Sequence, residues 1–303
     1  MDDIIGELLA CSAASVREPA GRDDIHAVCE SMGAQLPSVL VRLWSASDGI
    51  DFEPLHCHIP GTAEILQMID EKTWCDLAEA GWLPILDDHE SNYLAICVRS
   101  PLAHRVVHLP HDDGPRLIYR DAASSFQQLL EHAERGETPD TYLFESPGDY
   151  PPDGSRTDDD RSVGKALLAS EHRHTEWNFA AQLLDAADVP AWEHLLETDH
   201  FVRRDVRARL KQINNPVIQQ LLARDQQAFD DFVALAAREA GRAGFKVGQR
   251  GNDSLQIGDK WMNMEAFFHR RRISNAIPRM MDWFRDLLDG HNPHDREGHF
   301  MED

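Results

Sequence analysis

Five side chains able to ligate a metal or move a proton crowd the middle of GWLPILDDHESNYLAICV, residues 81–98: Asp87, Asp88, His89, Glu90 and Asn92. Carboxylates beside an imidazole suit a divalent cation or general acid–base work, provided that they converge on one point. Neighbours on a single turn do not converge without ligands brought from elsewhere. Asp, Ser and Asn are also ordinary turn residues that cap their own backbone. The stretch therefore reads as a polar turn between two strands, with no metal and no catalytic group, and its charge is expected to face a partner. His56-Cys57-His58 raises the same question, because alternate residues of a strand project to one side. His104, His108 and His111 recur further on, yet spacing identifies no third ligand. His172 and His174 stand two apart on an expected helix and do not share a face.

Recognised catalytic signatures are missing. The chain has no GxSxG elbow, no HExxH, no GxxxxGK[ST] loop and no GxGxxG opening a helix. GQRGNDSLQIG is glycine-rich but sits in a hairpin pattern, which does not cradle phosphate. HRRR at 269–272 is the one concentrated basic patch, read as a solvated helix face or an anchor for acidic residues elsewhere in the chain. No enzyme and no cofactor are expected from these residues.

Charge points towards binding. The net charge is −23 over 303 residues, and it is unevenly spread. Residues 1–140 hold 25 acids against 9 bases, whereas 162–303 are nearly balanced. Such a front half repels nucleic-acid backbones and anionic lipid, and draws in basic partners at enhanced rates. Cys11, Cys29, Cys57, Cys75 and Cys97 include no CxxC pair and are odd in number, which argues for reduced thiols rather than a disulfide framework. The start, MDDIIGELLACSAAS, lacks the basic region of a secretory signal, and no apolar run is long enough for a membrane span. The expected location is cytoplasmic.

The elements that must position these residues follow from periodicity. LPSVLVRLWSASDG (36–49) puts Leu36, Val39, Leu40, Leu43 and Trp44 on one helical face, with Pro37 in the first turn and Gly49 as the stop. Residues 62–80 look helical, with Ile65, Leu66, Ile69, Trp74 and Leu77 as core candidates. WLPIL, YLAICV, VVHL and RLIY then predict a four-stranded antiparallel sheet. A Ser-capped helix over 124–136 carries Phe126, Leu129, Leu130 and Ala133. The Pro- and Gly-rich, acidic stretch 137–161 reads as a linker, so that 1–136 forms one domain and 162–303 a mostly helical second one. In the second, Asn215-Pro216 caps a long stripe from Ile218 to Ala237, and a hairpin over 245–262 turns at Gly251-Asn252-Asp253. A last helical segment runs from about Met264 to Leu288, broken or kinked at Pro278.

The order of features in the front half resembles the SUKH superfamily. LPSVLVRLWSASDG is similar to that family's Leu-Pro helix ending in an Asn/Asp-Gly pair, here Asp48-Gly49. WLPILDD followed by NYLAI is similar to its Pro-containing strand, acidic turn and next strand, and SSFQQLLE to its closing helix. The resemblance covers roughly residues 20–135. It departs at His89-Glu90-Ser91, where members usually carry glycines that supply positive φ. The resemblance implies an α+β fold that binds proteins and has no chemistry of its own, bacterial members neutralising toxins encoded beside them by direct binding. On that reading the chain is an immunity-type protein. Asp48, Asp51, Glu53, Asp87, Asp88, Glu90, Asp112 and Asp113 would then meet a basic toxin, a nuclease or nucleotide-acting enzyme among the candidates. The alternatives are a regulatory scaffold without a toxin, and an enzymatic back half using His172, His174 or Arg270–Arg272.

Overall fold

The short apolar runs become strands, and they are buried along nearly their whole length rather than at alternate positions. Continuous burial of this kind requires a covering layer on each face of a sheet. A computed structural model describes residues 4–70, 78–110, 115–136, 148–151, 154–169, 174–197, 200–250, 254–257 and 260–264, with positions 268, 281 and 285. The chain mixes helix and sheet and divides into two compact units, Met1–Asp185 and Ala186–Asp303. Among the described residues no helix is long and apolar enough to cross a membrane.

In the first unit a seven-stranded antiparallel sheet keeps chain order. Its strands are β1 (Ser15–Val16), β2 (Ile50–Phe52), β3 (Cys57–Ile59), β4 (Trp82–Asp87), β5 (Tyr93–Cys97), β6 (Val106–Leu109) and β7 (Arg116–Tyr119). The four strands expected from periodicity are β4 to β7. Three more, each of two or three residues, extend the sheet on the β4 side. One face packs on α1 (Ile4–Ala10), α2 (Arg22–Met32), α3 (Ser38–Ala46), α4 (Thr62–Asp70) and α5 (Ala122–Arg135), through Leu8, Val28, Trp44, Ile65 and Phe126. Helix α3 starts one residue after Pro37 and stops before Gly49. The cap of α5 is Asp121, which accepts the Ser124 N–H at 2.8 Å, so the expected serine cap is displaced by a stronger acceptor three residues earlier. Trp74 and Leu77 lie outside the described residues.

The opposite face is closed by α6 (Asp158–Ala169) and α7 (His174–Leu183). Leu167, Phe179, Ala180 and Leu183 pack on Trp82, Ala95, Cys97, Val107 and Leu117. The Trp82 and Phe179 rings are 5.6 Å apart. The expected boundary at 137–161 thus differs from the division after Asp185. The physical reason is that these apolar side chains need the sheet's second face as their cover.

One buried carboxylate ties this layer down. Asp160, with 0% of its surface exposed, accepts from Arg120 Nε and Nη2 at 3.1 and 3.0 Å, and from Arg105 Nη2 at 3.2 Å. Its own N–H donates to Thr157 Oγ1, and the Thr157 N–H donates back to its Oδ2, both at 3.1 Å, closing a reciprocal box at the start of α6. Two guanidiniums lie over the Tyr150 ring, Arg120 5.2 Å and Arg156 5.6 Å from its centre. Burial works to raise the Asp160 pKa, but the Thr157 and Arg120 hydrogen bonds hold it below the usual aspartate value.

The outer edge of β7 is also closed. Asp149 N–H donates to the Ile118 carbonyl at 2.8 Å, and Gln182 Oε1 accepts the Leu117 N–H at 2.7 Å. Gly148 makes this approach possible, because its φ of 51° suits glycine and a Cβ there would collide with the Ile118 carbonyl.

In the second unit α8 (Val189–Leu196), α9 (His200–Leu210) and α10 (Pro216–Arg242) accompany a three-stranded antiparallel sheet: β8 (Val247–Arg250), β9 (Ser254–Ile257) and β10 (Lys260–Asn263). The expected hairpin thus gains a third strand, and its turn at 251–253 lies outside the described residues. Asn215 caps α10 as expected, its Oδ1 accepting the Val217 N–H at 2.9 Å. Phe229, Val233, Ala236, Leu255 and Phe268 form the core. Of the last expected helical segment only Phe268, Met281 and Arg285 are described beyond Met264.

Two outcomes follow from this architecture. A chain ending at Gly136 leaves Trp82, Ala95, Val107 and Leu117 uncovered and is expected to bind a hydrophobic dye and unfold broadly, whereas one ending at Asp185 unfolds in a single sharp transition. Thermal scans with dye fluorescence compare the two. Replacement Asp160→Ala leaves the buried Arg105 to the exposed Asp159 and Arg120 to Asp149, and is expected to cost about 3 kcal/mol. The milder Asp160→Asn tests the pH dependence. Because the folded pKa is lowered, the wild type's advantage is full above the ordinary value of 3.8 and is lost as pH falls through the folded value. Denaturant titrations along a pH series read both effects.

Candidate functional site

Strand register assembles polar residues that lie far apart in the chain. Asp51 on β2 faces His58 on β3, His58 faces Asp87 on β4, and Asp87 faces Tyr93 on β5. Paired residues share a face, so these form a row across the sheet. A register shift between Pro84 and Leu86 turns Asp87 onto that face after the inward-packed Ile85 and Leu86. The row lies on the face covered by α6 and α7. There Tyr93 packs with the apolar cluster, while Asp51, His58 and Asp87 stand at its polar end.

Arg17, just after β1, organises that end. Its Nη2 and Nε donate to Asp51 at 2.9 and 3.1 Å, and its Nη1 donates to Glu64 on α4 at 2.8 Å. The Arg17 hydrogen bond holds the Asp51 carboxyl below its usual range. For Glu64, burial pushes upward, but Arg17 and the Gly61 N–H at 2.8 Å outweigh it and the pKa is lowered. His58 is only 8% exposed. Burial draws its imidazole below the usual range, against the opposing charges of Asp87 and Glu64. Its Nδ1 has no hydrogen-bond partner among the described residues, and its Nε2 is 3.9 Å from Glu64 Oε2. The His89 ring stacks on it, centres 4.6 Å apart and planes 12° from parallel.

The turn that delivers His89 is held by its own carboxylates. Asp87 Oδ1 accepts the His89 N–H at 2.7 Å. Asp88 Oδ1 accepts the Glu90 and Asn92 N–H groups at 2.8 and 3.0 Å, and its Oδ2 accepts from the Asn92 amide at 2.7 Å. His89 and Ser91 have φ of 61° and 71°, so positive φ is adopted without glycine at either position. The Asp88 hydrogen bonds stabilise that conformation.

The structure sorts the residues singled out by sequence. Asp88 is 3% exposed and spends its oxygens inside the turn. Asp48 caps α4, accepting the Thr62 N–H at 2.6 Å and the Thr62 hydroxyl at 3.1 Å. Asp51 is engaged by Arg17. These three hold the fold and do not present free carboxylates. Glu53, on the 3-10 turn Glu53–Leu55, and Glu90 are exposed, and Asp87 is half-buried. Asp112 and Asp113 lie outside the described residues, as do His111, His172 and Arg270–Arg272.

Among the histidines, His56 is exposed in a left-handed position before β3 begins, so it does not share a strand face with His58. His104 is exposed, and buried His108 accepts from Arg116 Nε at 3.3 Å. Sequence reasoning missed Arg17 and Glu64 altogether. The available signal for Arg17 was an arginine directly after Val16 in an otherwise acidic region.

One ring nitrogen from each of His58 and His89 and one oxygen of Asp87 lie within 4.8 Å of one another. The arrangement can hold a cation, or hold two stacked imidazoles beside carboxylates. Compared with protein-family models the chain matches none, and a search of the curated proteins returns no match.

Replacing Asp88 by Ala removes the buried acceptor of three donors in a part-buried turn and is expected to destabilise by about 1–2 kcal/mol. Glu90→Ala, two residues on and exposed, is expected to stay within about 0.5 kcal/mol of wild type. Urea midpoints of the two variants give the comparison.

Proposed function

We infer that the chain is a cytoplasmic binding protein of the SUKH immunity type, which occludes a basic protein toxin and performs no chemistry on it. What carries this reading is the pairing of two acidic loops at one end of the sheet. Phe52 pairs with Cys57, and His58 with Asp87. That register sets the connection between β2 and β3 beside the turn between β4 and β5. Glu53 projects from the first loop and Glu90 from the second, both exposed, with His56 and His89 between them in the same loops. Neither glutamate has a side-chain partner among the described residues. The surrounding excess of acids over bases in residues 1–140 adds a long-range field that steers a cationic partner towards this end. The docking set is therefore Glu53, Glu90 and the outer oxygen of Asp87, rather than the full set of acids along the front half.

Rim charges set the rate of encounter more than the rate of release. With a partner captured by tagged full-length protein and identified by mass, Glu53→Gln with Glu90→Gln is expected to slow association several-fold at low salt and to leave dissociation almost unchanged. Screening over about 8 Å at physiological ionic strength shrinks the difference as salt is added. The matched pair Asp230→Asn with Asp231→Asn, exposed on α10, is expected to change neither rate. Equal sensitivity of the two pairs in surface-binding kinetics would place docking elsewhere.

A further inference from the structure

We propose that His58, Asp87 and His89 form a binding site for a divalent transition-metal ion of the zinc class. Two imidazoles and a carboxylate are a borderline donor set that favours zinc, nickel and copper over magnesium and calcium. Their nearest donor atoms lie within 4.8 Å of one another. A tetrahedral ion with bonds near 2.1 Å needs donors about 3.4 Å apart. Closing the gap turns the exposed His89 ring out of its stack on His58, with no side-chain hydrogen bond of His89 to break among the described residues.

The second observation is His58 itself. A buried polar atom is normally satisfied, and one left open needs an explanation. Its Nδ1 is buried with no partner among the described residues, and its Nε2 is beyond hydrogen-bond reach of Glu64. Neither ring nitrogen is committed to a hydrogen bond among the described residues, so the tautomer that turns a lone pair to the cluster is available. Asp87 uses Oδ1 to hold the His89 N–H, which leaves its other oxygen for the ion.

The surroundings favour a cation. Arg17 is bound by Asp51 and Glu64, and these two carboxylates together with Asp87 outweigh its single positive charge. Glu64 Oε2, 3.9 Å from His58 Nε2, would orient that imidazole after a small approach if Nδ1 is the ligand atom, as carboxylates behind metal-bound histidines do. With three protein donors the coordination is open, and exposed His89 turns the fourth position towards solvent. The site shares Asp87 with the docking reading but needs neither Glu53 nor Glu90 nor a protein partner, so zinc binding is tested apart from it.

The test uses full-length protein stripped with chelator and titrated with zinc alone, followed by calorimetry and by thermal unfolding. Binding of one ion per chain with a raised melting temperature is expected, and cobalt in its place is expected to give visible absorption bands of a low-symmetry site. His89→Ala, at an exposed position, and the isosteric Asp87→Asn are each expected to abolish the stoichiometric event while melting like the metal-free wild type. His56→Ala, two residues from His58, is expected to bind as wild type does. Absence of stoichiometric zinc binding overturns the proposal. So does binding that survives both His89→Ala and Asp87→Asn, which would assign the ion to others of the 16 histidines. Equal affinity for calcium and zinc would likewise overturn it, by removing the imidazoles from the donor set.

Discussion

A carboxylate buried between guanidiniums governs the layout of the first unit. Asp160 could not remain ionised in an apolar layer without Arg105 and Arg120, and Arg105 is buried beside the sheet against the carboxylates of Asp159 and Asp160. The three come from just before β6, from just after β7 and from the first turn of α6, so their pairing fixes where α6 begins on the sheet. Once α6 is placed, α7 follows through Leu183 and Phe179, and the apolar half of the second face is closed. What stays outside that cover is the polar end of the same face, at β2 and β3. The row of Asp51, His58 and Asp87 is thus a consequence of where the helical layer stops.

Periodicity exposed those parts of the fold that depend on local pattern. The faces of α3 and α5, the strands β4 to β7 and the capped stripe of α10 all read directly from spacing. Strands β1 to β3 did not, because two or three residues are too few to show a period, and their pairing is imposed by neighbours. The membership of α6 and α7 was hidden behind a Pro-rich stretch that looks like a linker. Its signal was present nonetheless: WLPIL and YLAIC have no polar alternation, which demands cover on both faces. The candidate site was half legible. Asp87 and His89 were visible as a pair, but His58 lies about thirty positions earlier and reaches them only through the β3–β4 register. Residue type also failed to separate Asp88 from Glu90, since an acid that caps a backbone and one that faces water look alike until burial is known.

The second unit solves a similar problem with different partners. Arg203 is completely buried, pairs with Asp225 at 2.8 Å and lies against the Phe229 and Phe268 rings at 5.3 and 4.6 Å. Arg207 joins the same carboxylate and also bonds Gln226. Aromatic faces supply part of the electrostatic compensation here that hydrogen bonds supply around Asp160. In both units the interior is specified by a charged group with few acceptable geometries, whereas apolar packing alone tolerates sliding.

The closed edge of β7 has a consequence for how molecules of this kind coexist at high concentration. An unprotected strand offers a ladder of donors and acceptors on which another chain can crystallise into a continuous ribbon. On β7 that ladder is already occupied by Asp149 and Gln182. At the opposite border β1 is two residues long, and its exposed Val16, at 49%, is followed at once by the charged Arg17. A stranger meeting this seven-stranded sheet finds one border sealed and the other too short to seed a fibre.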